Sequence, residues 1–208
     1  LFRSSLAEAI SGVVPPAPTP ASAPTTAAPP TRETEGMALA RLCTGEPAFD
    51  GLVDKVRRFV GRGIPLLIVG ESGSGRTALA RAFHDDADRR HGPFVALHCA
   101  STPADALEAE LFGADAGPGR DGPTPGRLAQ ALGGTLFLHE VGELPAAAQR
   151  RLLNVLQQGQ FTPPGQGAPL PLDLAIVCAS GQPLIERIAQ GRFVEDLYHR
   201  LNGLSVRL

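Results

Sequence analysis

The segment Gly70-Glu71-Ser72-Gly73-Ser74-Gly75-Arg76-Thr77 constrains this chain more than any other. It follows the apolar run Leu66-Leu67-Ile68-Val69 and opens a helical pattern in which Leu79, Ala82 and Phe83 share one face. Strand, glycine-rich turn and helix are the setting in which a phosphate-binding loop is expected, although a flexible strand–helix turn has the same outline. Glycines let the backbone wrap a polyphosphate with its N–H groups turned inward. The helix that follows presents its positive N-terminal end to the same anion. Thr77 stands where a hydroxyl would reach Mg²⁺. Such loops carry lysine before that threonine, and here the residue is Arg76.

Strand and helix patterns alternate around this loop. From Ala48 to Arg62 the apolar residues Phe49, Leu52, Val53, Val56, Phe59 and Val60 recur at helical spacing. Strands are expected over Ile64–Val69, Pro93–Cys99, Thr135–Val141 and Leu172–Ala179, with a fifth from Leu204. Helices are expected from the loop to about Arg90, over Asp105–Gly113, after Pro145, and over Pro183–Gln190 and Phe193–Leu201. Phe161–Leu172 reads as a hairpin-like excursion and Ala114–Pro125 as a glycine- and proline-rich loop. The strands are continuously apolar, as in a parallel sheet covered on both faces. The pattern predicts an α/β fold, an open, mostly parallel five-stranded sheet with helices on both sides. Ligands in such sheets sit beyond the carboxyl ends of the strands, where the glycine-rich loop and His139-Glu140 both fall.

Residues 13–36 are Pro, Ala and Thr with almost no bulky apolar side chain. Such a segment cannot bury enough surface to offset its chain entropy, so it is expected to be a disordered linker, with a proline-rich ligand as the alternative. Residues 1–12 read as the end of an upstream domain, and residues 37–208 as the α/β domain. The chain begins with Leu1 and ends at Leu208 in an apolar run, and is expected to be a fragment of a longer protein. The net charge of −2 advertises no nucleic-acid surface. Arg57, Arg58, Arg89 and Arg90 read as solvated helix faces. His84, His91 and His199 form no metal-like grouping. Cys43, Cys99 and Cys178 are far apart and read as three buried thiols. With no membrane-length apolar run and no secretory signal, a cytoplasmic location is expected.

Several further motifs follow one another in a telling order. They are Phe94-Val95-Ala96-Leu97-His98-Cys99-Ala100, Glu110-Leu111-Phe112-Gly113, Gly133-Gly134-Thr135-Leu136-Phe137-Leu138, Leu152-Leu153-Asn154-Val155-Leu156-Gln157, and the run from Gly191 to Asn202. With the glycine-rich loop, this order resembles the AAA+ domain of sigma-54-dependent bacterial transcription activators. The ending Arg200-Leu201-Asn202-Gly203-Leu204 looks most like the acetoin-catabolism regulator branch. The resemblance covers about residues 38–208. It implies a P-loop NTPase core that binds ATP or ADP with Mg²⁺, forms ring-shaped homo-oligomers and remodels RNA polymerase holoenzyme through sigma-54. A sensory region, a helical lid and a helix-turn-helix DNA-binding domain flank this part in the family.

Carried over residue by residue, the resemblance assigns Gly70 to Thr77 and position 139 to nucleotide and metal. It assigns Glu140 to the attacking water and Arg200 to a neighbouring subunit's nucleotide. The departures touch every step. Arg76 replaces the lysine, His139 the aspartate that supports Mg²⁺, and His98 the asparagine that pairs with the glutamate. Val194 replaces the first of two trans-acting arginines, and Ser180-Gly181-Gln182 lacks the sensor's positive charge. The loop Ala116–Pro123 lacks the Phe-Thr tip that contacts sigma-54. The expectation is a nucleotide-binding regulator domain with weakened hydrolysis and sigma-54 contact. The alternatives are a working ATPase carried by Glu140, Thr77 and Arg200, and a truncated remnant.

Overall fold

The computed structural model describes residues 37–116 and 122–208. The readings of residues 1–12 and 13–36, and the middle of the 116–123 loop, lie outside the described residues. A short 3₁₀ turn (Ala40–Leu42) precedes α1 (Pro47–Arg57), β1 (Leu66–Val69), α2 (Arg76–Asp85), β2 (Phe94–His98) and α3 (Ala104–Phe112). Two-residue strands β3 (Gly113–Ala114) and β4 (Thr124–Pro125) then flank the Gly/Pro-rich loop. After them come α4 (Arg127–Gln130), β5 (Thr135–His139) and α5 (Ala146–Gln158). The strands β6 (Gln160–Phe161) and β7 (Leu170–Pro171), β8 (Ala175–Ser180), α6 (Leu184–Ala189), α7 (Glu195–Leu201) and β9 (Leu204–Arg207) complete the order.

Five strands form one parallel sheet in the order β2-β5-β8-β1-β9. Its side chains alternate between two cores. Leu67, Leu97, Leu136, Leu138 and Cys178 join α3, α5 and α7 on one side. Leu66, Ile68, Phe137, Val177 and Val206 join α1 and α2 on the other. This accounts for strands that read as unbroken apolar runs, since both faces are buried. The expected five-stranded α/β sheet is the observed one.

Several elements end earlier than their apolar patterns suggest. α1 stops at Arg57 and runs on as a turn, in which the Phe59 and Val60 N–H groups donate to the Val56 and Arg57 carbonyls at 3.0 and 3.3 Å. α2 stops at Asp85, so Arg89 and Arg90 sit in a turn rather than on a helix face, and Arg89 is ion-paired with Asp173. β5 ends at His139, and Val141–Glu143 is a 3₁₀ turn. Pro145 caps α5 rather than opening it. The loop after α3 is pinned at its base by β3 pairing antiparallel with β4, where a Cβ on Gly126 would lie 2.2 Å from the Gly113 nitrogen. β6 and β7 pair antiparallel, as the hairpin reading expected. The thiols need one correction: Cys99 and Cys178 are buried, whereas Cys43 is exposed. Burial pushes the Cys99 thiol up to about 12 and raises that of Cys178 further still.

The register sets the carboxyl ends of the strands in a row. His98 lies opposite His139, His139 opposite Ala179, and Val69 opposite Ser180. Below that row, His84 of α2 is buried against β5, its Nδ1 2.9 Å from the Thr135 hydroxyl and its ring edge-on to Phe94. Burial lowers its pKa and outweighs the opposing charge of Asp85, with Arg81 adding to the lowering and the Arg90 backbone opposing it. The unfolded chain therefore binds this proton at higher pH than the folded one. Stability is expected to be full above pH ~6.5 and to fall on further acidification, with a flatter profile in His84→Gln. Urea unfolding between pH 7 and 5 measures it, and equal slopes in both proteins would refute the assignment.

Candidate functional site

The loop after β1 is tied to the sheet by the Gly70 N–H, which donates to the Ser180 carbonyl at 3.1 Å. Gly73 and Gly75 adopt φ angles of 85° and 94°, which an L side chain rarely allows. Gly75 is the residue before α2, and the first-turn N–H groups of that helix have no intrahelical partners. Ser74 places a buried Oγ here with no hydrogen-bond partner. A cavity of about 360 Å³ opens beside the loop, with Gly70, Glu71, Ser74, Gly181 and Arg207 among its lining residues. Turned backbone, helix N-terminus and an unpaired hydroxyl together fit a phosphate group.

Arg76 does not point free into solvent as a loop lysine would. It is 4% exposed, and its Nη1 lies 2.7 Å from Oε1 of Glu140, itself 23% exposed. The approach is close but not aligned as a hydrogen bond, so this buried Nη1 has no hydrogen-bond partner. The other carboxylate oxygen, Oε2, accepts the Gly181 N–H at 2.7 Å. Glu140 is the one described non-glycine residue with positive φ, at 56°. The chain turns sharply there out of β5, and the turn aims the carboxylate across the strand ends. A Cβ on Gly181 would meet both carboxylate oxygens at 3.3 Å, so the missing side chain lets Glu140 approach.

His139 stacks at 4.7 Å between centroids on His98, its register neighbour. Burial lowers its pKa first, then Arg76 and His98, so a neutral imidazole stands where the resemblance places a metal-supporting carboxylate. His98 is therefore not the partner of Glu140; Arg76 and Gly181 are. Thr77 is exposed on the first turn of α2. Its hydroxyl, a neutral imidazole and a carboxylate already held by a guanidinium make a poor donor set for Mg²⁺, a hard cation that wants oxygen. Among the described residues no group of three or more His, Cys, Asp or Glu side chains could hold a metal ion.

The structure thus gathers residues 70–77 with His139, Glu140 and Gly181, and leaves Arg200 exposed on α7. Sequence reasoning missed Gln149, a buried amide on α5. Its Nε2 donates to the carbonyls of Leu144 (2.7 Å) and Arg192 (2.9 Å), and its Oε1 accepts the Val194 N–H at 2.8 Å. This fixes the entry to α7 and hence the bearing of Arg200. The signal available was a lone polar residue on the apolar side of a helix.

Fold and loop together define a P-loop α/β domain. A family model described as the sigma-54 interaction domain matches residues 42–207. The chain belongs to that family. It is 50% identical over 147 residues to the DNA-binding transcriptional regulator NtrC of Rhizobium meliloti, covering 70% of this chain and 30% of that protein. It is 41% identical over 212 residues to the acetoin catabolism regulatory protein of Cupriavidus necator, covering all of this chain and 30% of that one. The chain therefore spans about a third of the length of these curated relatives. Among solved structures, NtrX of Brucella abortus in complex with ATP matches with TM-score 0.70 and 34% identity over 78% of this chain and 35% of that one. Its complex with ADP matches with TM-score 0.72 over 82% and 37%. Among the described residues no helix is long and apolar enough to cross a membrane.

Two stability effects follow from this geometry. Glu140→Gln strips the counter-ion from a buried guanidinium and is expected to cost about 3 kcal/mol, at the low end for buried pairs because Glu140 keeps some water. Gln149→Leu leaves two carbonyls and one N–H unpaired and is expected to cost about 2–3 kcal/mol. Chemical denaturation measures both. A loss under half of either figure would mean that the pair or the amide is not structural.

Proposed function

We propose that this domain is the nucleotide-binding AAA+ core of a bacterial transcriptional regulator, and that it binds ATP or ADP while hydrolysing it slowly or not at all. The observation that carries the reading is the Arg76–Glu140 pair. The residue that should contact the outer phosphates neutralises the residue that should polarise water. In that arrangement the phosphates are held by the loop from Gly70 to Gly75 and the helix N-terminus, and Ser74 adds its hydroxyl. Glu140 orients no water while the guanidinium holds it. Arg200 serves as a trans contact only in a ring. The loop of residues 116–123, without a Phe-Thr tip, is a poor match for sigma-54 engagement.

In this proposal residues 1–12 end a sensory part, residues 13–36 link it, and residues 37–208 relay its state by assembly. DNA contact is left to a C-terminal helix-turn-helix in the whole protein, which works in the cytoplasm. An active ATPase is the second reading, favoured by the retention of Glu140 at the strand end and of Arg200 on an exposed face.

The test measures ATP turnover of the chain against an Arg76→Lys, His139→Asp double variant. The expected outcome is nucleotide binding with little turnover, rising ~10-fold or more in the variant, a barrier change of about 1.4 kcal/mol or more. Equal, brisk turnover in both proteins would instead establish the second reading.

A further inference from the structure

We propose that this site takes its nucleoside polyphosphate without a divalent cation, and that a phosphate enters by displacing Glu140 from the Arg76 guanidinium. This inference rests on the nucleotide-binding reading and specifies the form of the ligand and what it does to the site.

The first ground is the inventory of donors. At the start of α2 and the end of β5 the side-chain oxygens are the exposed Thr77 hydroxyl and Glu140, whose two oxygens are already engaged. Ser72 and Glu71 add exposed oxygens on the loop, yet no group of three or more His, Cys, Asp or Glu among the described residues could hold a metal ion. The position beside Glu140, His139, brings an imidazole nitrogen, a donor that Mg²⁺ accepts poorly in place of oxygen. The second ground is the positive charge. Arg76 is more than nine-tenths buried, and one nitrogen of its guanidinium lacks a hydrogen-bond partner. Ser74 adds a second buried polar atom without a partner, and Ser74 also lines the cavity beside the loop. Ser74 Oγ has no hydrogen-bond partner, and the Arg76 nitrogen has an ion-pair partner but no aligned acceptor.

A phosphate oxygen pair provides that acceptor. A guanidinium binds phosphate through two parallel hydrogen bonds, a geometry that its present contact with Glu140 does not reach. The exchange keeps a counter-ion on Arg76 throughout, so no buried charge is stranded. A cation chelated by the same phosphates would compete for those oxygens and set a second positive charge against the guanidinium. Glu140, once displaced, stays held by the Gly181 N–H, and slow hydrolysis in the bound state then rests on the missing cation rather than on the Arg76 pair. Gly181 lines the cavity as well, so the exchange is felt at the cavity wall.

Isothermal titration of the chain with ADP, in EDTA and in excess Mg²⁺, tests the cation half. ADP keeps hydrolysis out of the readout. The expected result is an affinity in EDTA equal to or tighter than that in Mg²⁺. Binding ten times tighter with Mg²⁺ would overturn the inference and leave the nucleotide-binding reading standing. Absence of binding in both buffers would overturn both.

The exchange half is tested with Glu140→Gln in EDTA, where affinity is expected to rise ~5–10-fold because the competing carboxylate is gone. Unchanged or weaker binding by the folded variant would sink the exchange. Should that variant not fold, Glu140→Asp keeps the charge on a shorter arm. A rise in affinity there supports the exchange, and an unchanged or lower affinity overturns it.

Discussion

A parallel sheet buried on both faces leaves only its strand ends for chemistry, and much else in this domain follows from that constraint. The alternating side chains of β1, β5 and β8 are spent on two cores. What is left is the row where Val69, His139 and Ser180 come to the edge in register. The loop after β1, the turn after β5 and the turn after β8 are held together by that register. Three sequence-distant segments thereby meet in one hydrogen-bonded cluster, with Glu140 between Arg76 and Gly181. No side chain in the cluster has to be steered there over a long loop. The strands deliver it.

Within the cluster, the exchange of a lysine for Arg76 has consequences beyond reach and shape. A guanidinium is less strongly hydrated than an ammonium and tolerates burial when paired. Here it is buried, and the nearest available anion is the carboxylate next to the strand end. Arg76 also lowers the proton affinity of His139, after desolvation, as any cation at this position would. One cation thus acts on two neighbours. Glu140 is neutralised as an acceptor, and His139 is kept uncharged and unable to repel a cation by charge.

The sheet, its covering helices and the glycine-rich loop were legible in the sequence because each has a local signal. Four-residue apolar runs, helical spacing and clustered glycines report backbone fate directly. Element ends were less legible. α1 stops before its apolar pattern does, since Phe59 and Val60 fall in a turn with i to i+3 hydrogen bonds, and α2 ends at Asp85 rather than near Arg90. The site was legible as a list but not as a set of partners. Nothing in the spacing of Arg76 and Glu140 says that they touch, or that His98 turns to His139 instead of to Glu140. Those contacts depend on register between strands and on one left-handed residue, which are tertiary facts. The partners of Gln149 were illegible for the same reason, since they lie 5, 43 and 45 residues away.

The positions at which the chain departs from the family pattern cluster where a change costs the fold least. His98, His139, Gly181 and Val194 stand at strand or helix ends, outside the fully buried layers of either core. Replacing them changes what the edge can bind while Leu136, Phe137 and Leu138 beneath it stay completely enclosed. Arg76 is the exception, because it is both edge and interior. Its burial makes Glu140 a structural requirement, so a carboxylate persists at the strand end even where no water needs activating. Persistence of that residue is therefore weak support for catalysis here: the ion pair alone would keep it. The two positions are coupled by direct contact, and the effect of changing one depends on the other. Under the proposed reading, a catalytic edge would need both release of Glu140 and a metal-binding oxygen beside it, and neither change alone does both.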